Sequence, residues 1–243
     1  MQSPSIKPPR VPLYKFPDVL IHADEAEVRT HEYYDAAKAG NFVAAEQLIT
    51  AFDHGFIDRI GSKLDGRAVE LLAVHALEST GVNEIPAALA RRMSHWLHLP
   101  VNDSIVQSNS VGHTKASGFH RLAHQAQFFG PVTMAQSYLI VDDFVGQGGT
   151  LANLVGHIVV HGGEVFGATV LTGKPHSAKL APDEALIQLV RSKHGYDFEE
   201  WWRERFGFGF DCLTRSEARY LEKSADANTI RNRLVAAGLE GGA

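Results

Sequence analysis

The stretch at residues 138–150, YLIVDDFVGQGGT, constrains the fold of this chain more than any other. Its apolar start predicts a short buried strand, and two aspartates, Asp142 and Asp143, are expected where that strand ends. A glycine-rich turn follows, and then apolar residues recur at helical spacing: Leu151, Leu154, Val155, Ile158 and Val159. The pattern therefore predicts a strand, a turn and a helix, which is the repeating unit of a parallel sheet.

The same alternation runs through the middle of the chain. Residues 69–77 and 164–171 have the apolar character of buried strands, and a short strand is predicted near residues 104–107. Residues 86–99 and 182–194 show helical spacing with helix-start signals. Together they predict an α/β fold, with a mostly parallel twisted sheet flanked by helices.

Both chain ends are expected to be additions to this core. Residues 1–60, with five early prolines and a helical pattern that breaks near Gly40, predict an extended and helical hood over the α/β core at residues 61–195. Residues 196–243 predict a helical appendage rich in tryptophan and phenylalanine. These aromatic residues favour a core or an oligomer contact, and stacking on a base is the alternative.

Composition limits the function classes. A chain of 243 residues with 44% hydrophobic content can bury the core of one α/β domain. Its net charge of −5 argues against binding nucleic acid chiefly through phosphates. The single Cys212 allows no internal disulfide and favours a reducing, cytoplasmic setting, where it is expected to be a packing residue. The N-terminal residues lack a long apolar run, so no membrane association is expected.

The turn after the two aspartates has the residues of an anion site. Glycines allow backbone N–H groups to converge, and the following helix presents its positive end. A threonine at the helix start adds a hydroxyl donor, and carboxylates accept hydrogen bonds from vicinal hydroxyls such as those of ribose. The alternative is an ordinary strand-to-helix connection. We call Asp142 and Asp143 the acidic pair, and residues 146–150 the glycine turn.

This stretch resembles the signature of type I phosphoribosyltransferases: a hydrophobic strand, two acidic residues and a loop of small residues. The resemblance implies that the acidic pair binds the ribose of phosphoribosyl pyrophosphate and, with Mg²⁺ held directly or through water, serves catalysis. It also implies that the 5-phosphate is held by Val145, Gly146, Gln147, Gly148, Gly149 and Thr150. The chain differs from the family at Phe144, and at Gly146 and Gln147, where small hydroxyl residues are usual.

Two further segments resemble parts of the same family. The segment ESTGVNEIP is similar to its pyrophosphate loop, which implies that Ser79, Thr80, Gly81 and Asn83 bind substrate, although an ordinary βα loop is the alternative. The long segment at residues 108–136 is similar to a mobile flap, with Lys115 and Arg121 as its catalytic cations.

The resemblance implies a pentosyltransferase of nucleotide metabolism, acting as a homodimer. It would transfer the phosphoribosyl group to a nitrogenous base that the sequence does not identify. The base is expected to contact the hood or residues 172–179, and His31, Tyr33 and Tyr34 favour packing over stacking on it. Two alternatives are a non-catalytic regulator that binds a phosphoribosyl ligand on the same fold, and an unrelated nucleotide-binding module.

Overall fold

The computed structural model describes residues 7–53, 55–78, 81–111 and 117–240. Within these ranges the strands are β1 (Leu20–Ala23), β2 (Glu70–Ala73), β3 (Leu77–Glu78), β4 (Gly81–Val82), β5 (Val101–Asn102), β6 (Val106–Gln107), β7 (Phe128–Phe129), β8 (Ser137–Val145) and β9 (Glu164–Gly173). The helices are α1 (Glu25–Thr30), α2 (Tyr34–Lys38), α3 (Phe42–Ala51), α4 (Phe56–Leu64), α5 (Ile85–Leu97), α6 (Gly118–Ala123), α7 (Gly149–Val160), α8 (Glu184–His194), α9 (Tyr196–Phe206), α10 (Arg215–Lys223) and α11 (Ala227–Glu240).

Five strands form one sheet in the order β1-β9-β8-β2-β5, and every neighbouring pair is parallel. The predicted α/β class with a parallel sheet is therefore confirmed. From β2 the chain passes to β5 on one side and then returns to β8 on the other side of β2. The strand order thus reverses between β2 and β8, and open α/β sheets bind ligands in the crevice at such a reversal.

Alternate residues of the strands enter two different cores. Leu71, Leu139 and Val141 pack against α3, α4 and α5 on one face of the sheet. Leu72 and Ile140 pack against α7 on the other face. Because a parallel sheet covered on both faces has no solvent side, residues 71–73 of β2 and 138–141 of β8 are apolar without interruption.

A third core joins α6 to the C-terminal helices. Trp202, Phe198 and Phe210 are fully buried in it, so the core interpretation of the aromatic cluster is confirmed. Cys212 is also buried there, and burial raises the pKa of its thiol to about 11, which suits a packing residue. None of the helices in the described ranges combines the length and apolar content that crossing a bilayer demands.

The structure corrects three of the predicted elements. Strand β8 continues through the acidic pair to Val145, because the long strand β9 pairs with it as far as Gly173. The edge of the sheet is formed by residues 101–102, whereas residues 106–107 pair with β7 in a separate antiparallel ribbon. Val159, expected to face the core, is 41% exposed.

Candidate functional site

The acidic pair lies at the strand-order reversal. The last pairing of β2 with β8 joins Ala73 to Val141, and the Val74 N–H donates to the Val141 carbonyl oxygen. Beyond that point β8 continues alone on this side, so Asp142 and Asp143 stand at the crevice between the carboxyl ends of the two strands. This is the position that the topology favours for a ligand.

Both aspartates are nearly closed to solvent, with exposures of 6% for Asp142 and 8% for Asp143. Asp143 Oδ2 accepts a hydrogen bond at 2.9 Å from Lys38 Nζ, which comes from helix α2 of the hood. Asp142 Oδ1 accepts one at 2.8 Å from the Asp143 backbone N–H. Burial, and after it the neighbouring Asp143 charge, raise the pKa of Asp142 well above its usual value. The pair therefore favours an approaching hydrogen-bond donor or cation.

The glycine turn follows directly from β8. Gly148 precedes helix α7 with a φ of 80°, a left-handed conformation that favours glycine, and no side chain caps the helix. Among the described residues, none accepts a hydrogen bond from the N–H groups of Gly146, Gln147 or Gly148. Gly149 and Thr150 occupy the first helical positions, whose N–H groups have no acceptor within a helix. The turn thus presents a set of adjacent donors. Val145 packs its side chain in the core.

Two arginines lie beside the turn. A Cβ on Gly146 would stand 2.7 Å from Arg121 Nη1 and 3.2 Å from the Phe144 ring, so the absence of a side chain makes room for the guanidinium. The Arg29 guanidinium carbon lies 4.9 Å from the centre of the same ring. Burial, followed by the nearby Arg29 charge, lowers the pKa of Arg121. Like charges held close together in a partly desolvated setting favour a bound anion.

The predicted pyrophosphate loop is a short antiparallel ribbon, β3 with β4, followed by helix α5. A Cβ on Gly81 would lie 2.5 Å from the Ala39 carbonyl oxygen, so this glycine allows the hood to approach. Asn83 is buried, and its Oδ1 accepts from the Ile85 N–H at 3.2 Å. Its side chain therefore serves the start of α5. Ser79, Thr80 and Lys115, also predicted to act at the site, lie outside the described residues.

The hood aromatics are used for packing. Tyr33 and Tyr34 pack on the first core, and the His31 ring lies 5.4 Å from the Tyr33 ring and 5.5 Å from the Phe52 ring. This agrees with the packing interpretation.

The acidic pair is the candidate magnesium site. Within the described ranges, no cluster of three or more His, Cys, Asp or Glu side chains is placed to hold a metal by itself. Mg²⁺ commonly takes one or two carboxylates and completes its shell with waters and substrate phosphates. Two adjacent carboxylates at the crevice fit that mode.

Sequence reasoning missed four residues of the site. Lys38 is one, and the other three are Arg10, Thr214 and Glu217, which pack behind the glycine turn. Thr214-Arg-Ser-Glu217 has the spacing of a capping box, and that signal was available in the sequence. No local pattern marks Lys38 or Arg10, because their partners lie more than one hundred residues away in the chain.

The fold and the site define an α/β protein with a candidate anion and sugar site at a strand-order reversal. No protein-family model matches the sequence. Protein TraN of Escherichia coli is 34% identical over 229 residues, which are 94% of this chain and 51% of TraN. An uncharacterized protein of Haemophilus influenzae is 37% identical over 145 residues, 59% of this chain and 32% of that protein. The chain thus spans about half of the length of TraN and about a third of the length of the second relative.

Among solved structures, Leishmania donovani UMP synthase aligns with 73% of this chain and 35% of its own, at 13% identity and a TM-score of 0.34. A likeness at this level says nothing about function.

Proposed function

We propose that the chain binds phosphoribosyl pyrophosphate at the carboxyl end of β8 and transfers the phosphoribosyl group to a nitrogenous base, releasing pyrophosphate. One observation supports this most. At the strand-order reversal, a buried acidic pair on β8 is followed directly by a turn with several adjacent backbone N–H donors. A sugar diol and a phosphate monoester are the groups that these two parts would bind, five or six bonds apart in one ligand.

In this proposal the acidic pair accepts hydrogen bonds from the ribose hydroxyls, and the glycine turn donates to the 5-phosphate. Arg121 donates hydrogen bonds to the phosphate in place of the hydroxyl side chains that are usual in the family. Its guanidinium lies next to Gly146, in the space that a side chain at this position would occupy. An arginine offers a planar fork of donors to phosphate oxygens. We also propose that the α/β core is that of a type I phosphoribosyltransferase.

Bound Mg²⁺ would supply charge neutralisation for the departing pyrophosphate. The chain's own residues orient the sugar and exclude water. The base nitrogen donates its electron pair to C1, the bond from C1 to the pyrophosphate oxygen breaks, and the nitrogen proton leaves to solvent. Positive charge grows on the sugar in the transition state, and the buried carboxylates beside it stabilise that charge.

The test is pyrophosphate release from phosphoribosyl pyrophosphate and Mg²⁺ across a panel of purine, pyrimidine and pyridine bases. Asp142→Asn and Asp143→Asn should each lower kcat by about 100-fold or more, the range seen when an electrostatic partner of a transition state is removed. Asp103→Asn, which removes an exposed carboxylate, is the matched control. Equal turnover in all four proteins would refute the roles of the acidic pair.

A regulator that binds the ligand without turnover is the second candidate. The ion pair between Lys38 and Asp143 favours it, because a substrate would have to displace an ammonium group that already compensates the carboxylate. Calorimetric binding of phosphoribosyl pyrophosphate, with no pyrophosphate released with any base, would select this candidate over the transferase.

A further inference from the structure

The glycine turn is held from behind by residues of both chain ends. Thr214 Oγ1 donates a hydrogen bond of 2.5 Å to the Gln147 carbonyl oxygen. Arg10 Nη2 lies 3.5 Å from the Gly149 carbonyl oxygen. One contact comes from the start of α10 and the other from the extended N-terminal segment, so neither belongs to the sheet or to helix α7.

The contacts that fix the directions of these two carbonyl groups also fix the directions of two backbone N–H groups. The carbonyl of Gln147 shares a peptide plane with the N–H of Gly148, and the carbonyl of Gly149 shares one with the N–H of Thr150. A trans peptide holds its C=O and N–H in opposite directions. Because both carbonyls are held on the inner side, both N–H groups are directed away from it, toward the side on which an anion would be bound.

The two contacts belong to one buried network. Arg10 makes a bidentate pair with Glu217, with distances of 2.6 and 2.9 Å, and the side chains are 1% and 3% exposed. Glu217 Oε2 also accepts from the Thr214 N–H at 2.9 Å. Arg10 Nε donates to Asn153 of α7 at 2.5 Å. The hydroxyl and the guanidinium are therefore fixed relative to each other and to the helix.

Two glycines of the turn allow it to lie close to the residues behind it. A Cβ on Gly149 would lie 2.8 Å from Glu217 Oε1, and a Cβ on Gly148 would lie 2.4 Å from the Leu180 side chain. A side chain at either position would push the turn away from its support. A buried ion pair is often no more stabilising than apolar residues of the same size, so stability alone is a weak reason for this one.

We infer that Thr214, Arg10 and Glu217 are positioning residues, which aim the Gly148 and Thr150 amides at the 5-phosphate of the ligand. The inference rests on the proposed function for the identity of that ligand. The orientation of the turn itself does not depend on it, and this allows the two to be tested separately.

The experiment compares the wild type with Thr214→Val and Thr214→Ser. Valine keeps the shape but loses the donor to Gln147, whereas serine keeps that donor. Two quantities are measured: hydrogen exchange of peptides covering residues 151–156, in which the Ala152 N–H donates to the Gly148 carbonyl oxygen, and of reference peptides from β2 and β9, and the calorimetric affinity for phosphoribosyl pyrophosphate and ribose 5-phosphate. Should the valine variant fail to fold, Glu217→Gln replaces it, because it keeps the hydrogen bond to Thr214 and loses the charge that holds Arg10.

In the valine variant we expect exchange at the start of α7 to rise about three- to tenfold, the factor that corresponds to one lost hydrogen bond. Affinity should fall by a similar factor, and the serine variant should restore both values. Unchanged exchange, or a rise spread evenly over all peptides, would overturn the positioning role. If the wild type binds neither probe, the proposed function fails, while a local rise in exchange would still support the positioning role.

Discussion

At the scale of single residues, the acidic pair is an arrangement that costs stability. Two carboxylates follow each other on one strand and both are buried, yet within the described part of the chain only Asp143 has a charged partner, Lys38, in contact. Burial penalises the charged form of Asp142, and the neighbouring charge adds to the penalty. Groups held in such a state commonly serve a site, which supports the proposed role of the pair.

Lys38→Met should lower the free energy of unfolding by about 2–4 kcal/mol, because it leaves a buried carboxylate without its counter-ion. Urea denaturation at neutral pH measures this. Lys179→Met is the control, since that lysine pairs with Asp183 at 2.8 Å on the surface, where both side chains are nearly half exposed, and its loss should cost about 0–1 kcal/mol. Equal losses in the two variants would contradict the buried ion pair.

Asp142→Asn should make stability less dependent on pH. A carboxyl whose folded-state pKa is raised stabilises the fold below its unfolded pKa, and that contribution is lost as pH rises through the folded pKa. The variant cannot ionise, and its amide oxygen can still accept from the Asp143 N–H. Relative to the wild type it should therefore gain stability with rising pH, by about 1.4 kcal/mol for each unit of the raised pKa.

Urea titrations from acid to alkaline pH would follow this difference, with the exposed Asp103→Asn as the control. A difference between Asp142→Asn and the wild type that stays constant over the whole range would show that Asp142 keeps an ordinary pKa.

At the scale of elements, a helix needs glycine where the backbone of another segment packs directly against it. Gly156 lies inside α7, and a Cβ there would stand 2.1 Å from the Pro9 carbonyl oxygen. The N-terminal segment therefore crosses the helix in direct backbone contact. That crossing brings Arg10 to Asn153 one turn earlier on the same helix.

Gly156→Ala should destabilise the protein by about 1–3 kcal/mol, because the methyl group forces the N-terminal segment away. In an unobstructed helix the same change stabilises by up to about 1 kcal/mol. Gly61→Ala in α4 is the matched control, since its nearest neighbour is a flexible leucine side chain at 3.4 Å. Thermal and urea denaturation should give opposite signs for the two variants, and a gain in both would show that Pro9 does not lie on α7.

The sequence indicated the elements whose pattern is periodic. Helix α7 and strand β9 were predicted nearly to their ends, and the break at Gly40 was found, because Asn41 caps α3. The acidic pair and the glycine turn were identified from local residues alone. The length of β8 and the contacts of Lys38 and Arg10 were not, because they depend on partners that only the folded chain brings together.

At the scale of the whole molecule, the third core is joined to the sheet at several points. The Arg215 N–H donates to the Leu180 carbonyl oxygen, and Thr214 and Glu217 reach the glycine turn and the N-terminal segment. These contacts are buried and polar, and separating the C-terminal helices from the sheet would break all of them.

Trp202→Ala should therefore destabilise the entire chain, by about 3–5 kcal/mol for a fully buried indole, within a single transition. Circular dichroism and the remaining tryptophan fluorescence should change at the same urea concentration. Trp96→Ala, at a position 54% exposed, should cost far less. Two separate transitions in the Trp202 variant would show that the C-terminal helices unfold by themselves.

The main sheet has short strands at both of its borders. β1 has four residues and β5 only two, while the long strands β8 and β9 are enclosed between neighbours. A border of this length offers few backbone groups on which a strand of another molecule could continue the ladder. Growth of the main sheet by strand addition is thus disfavoured.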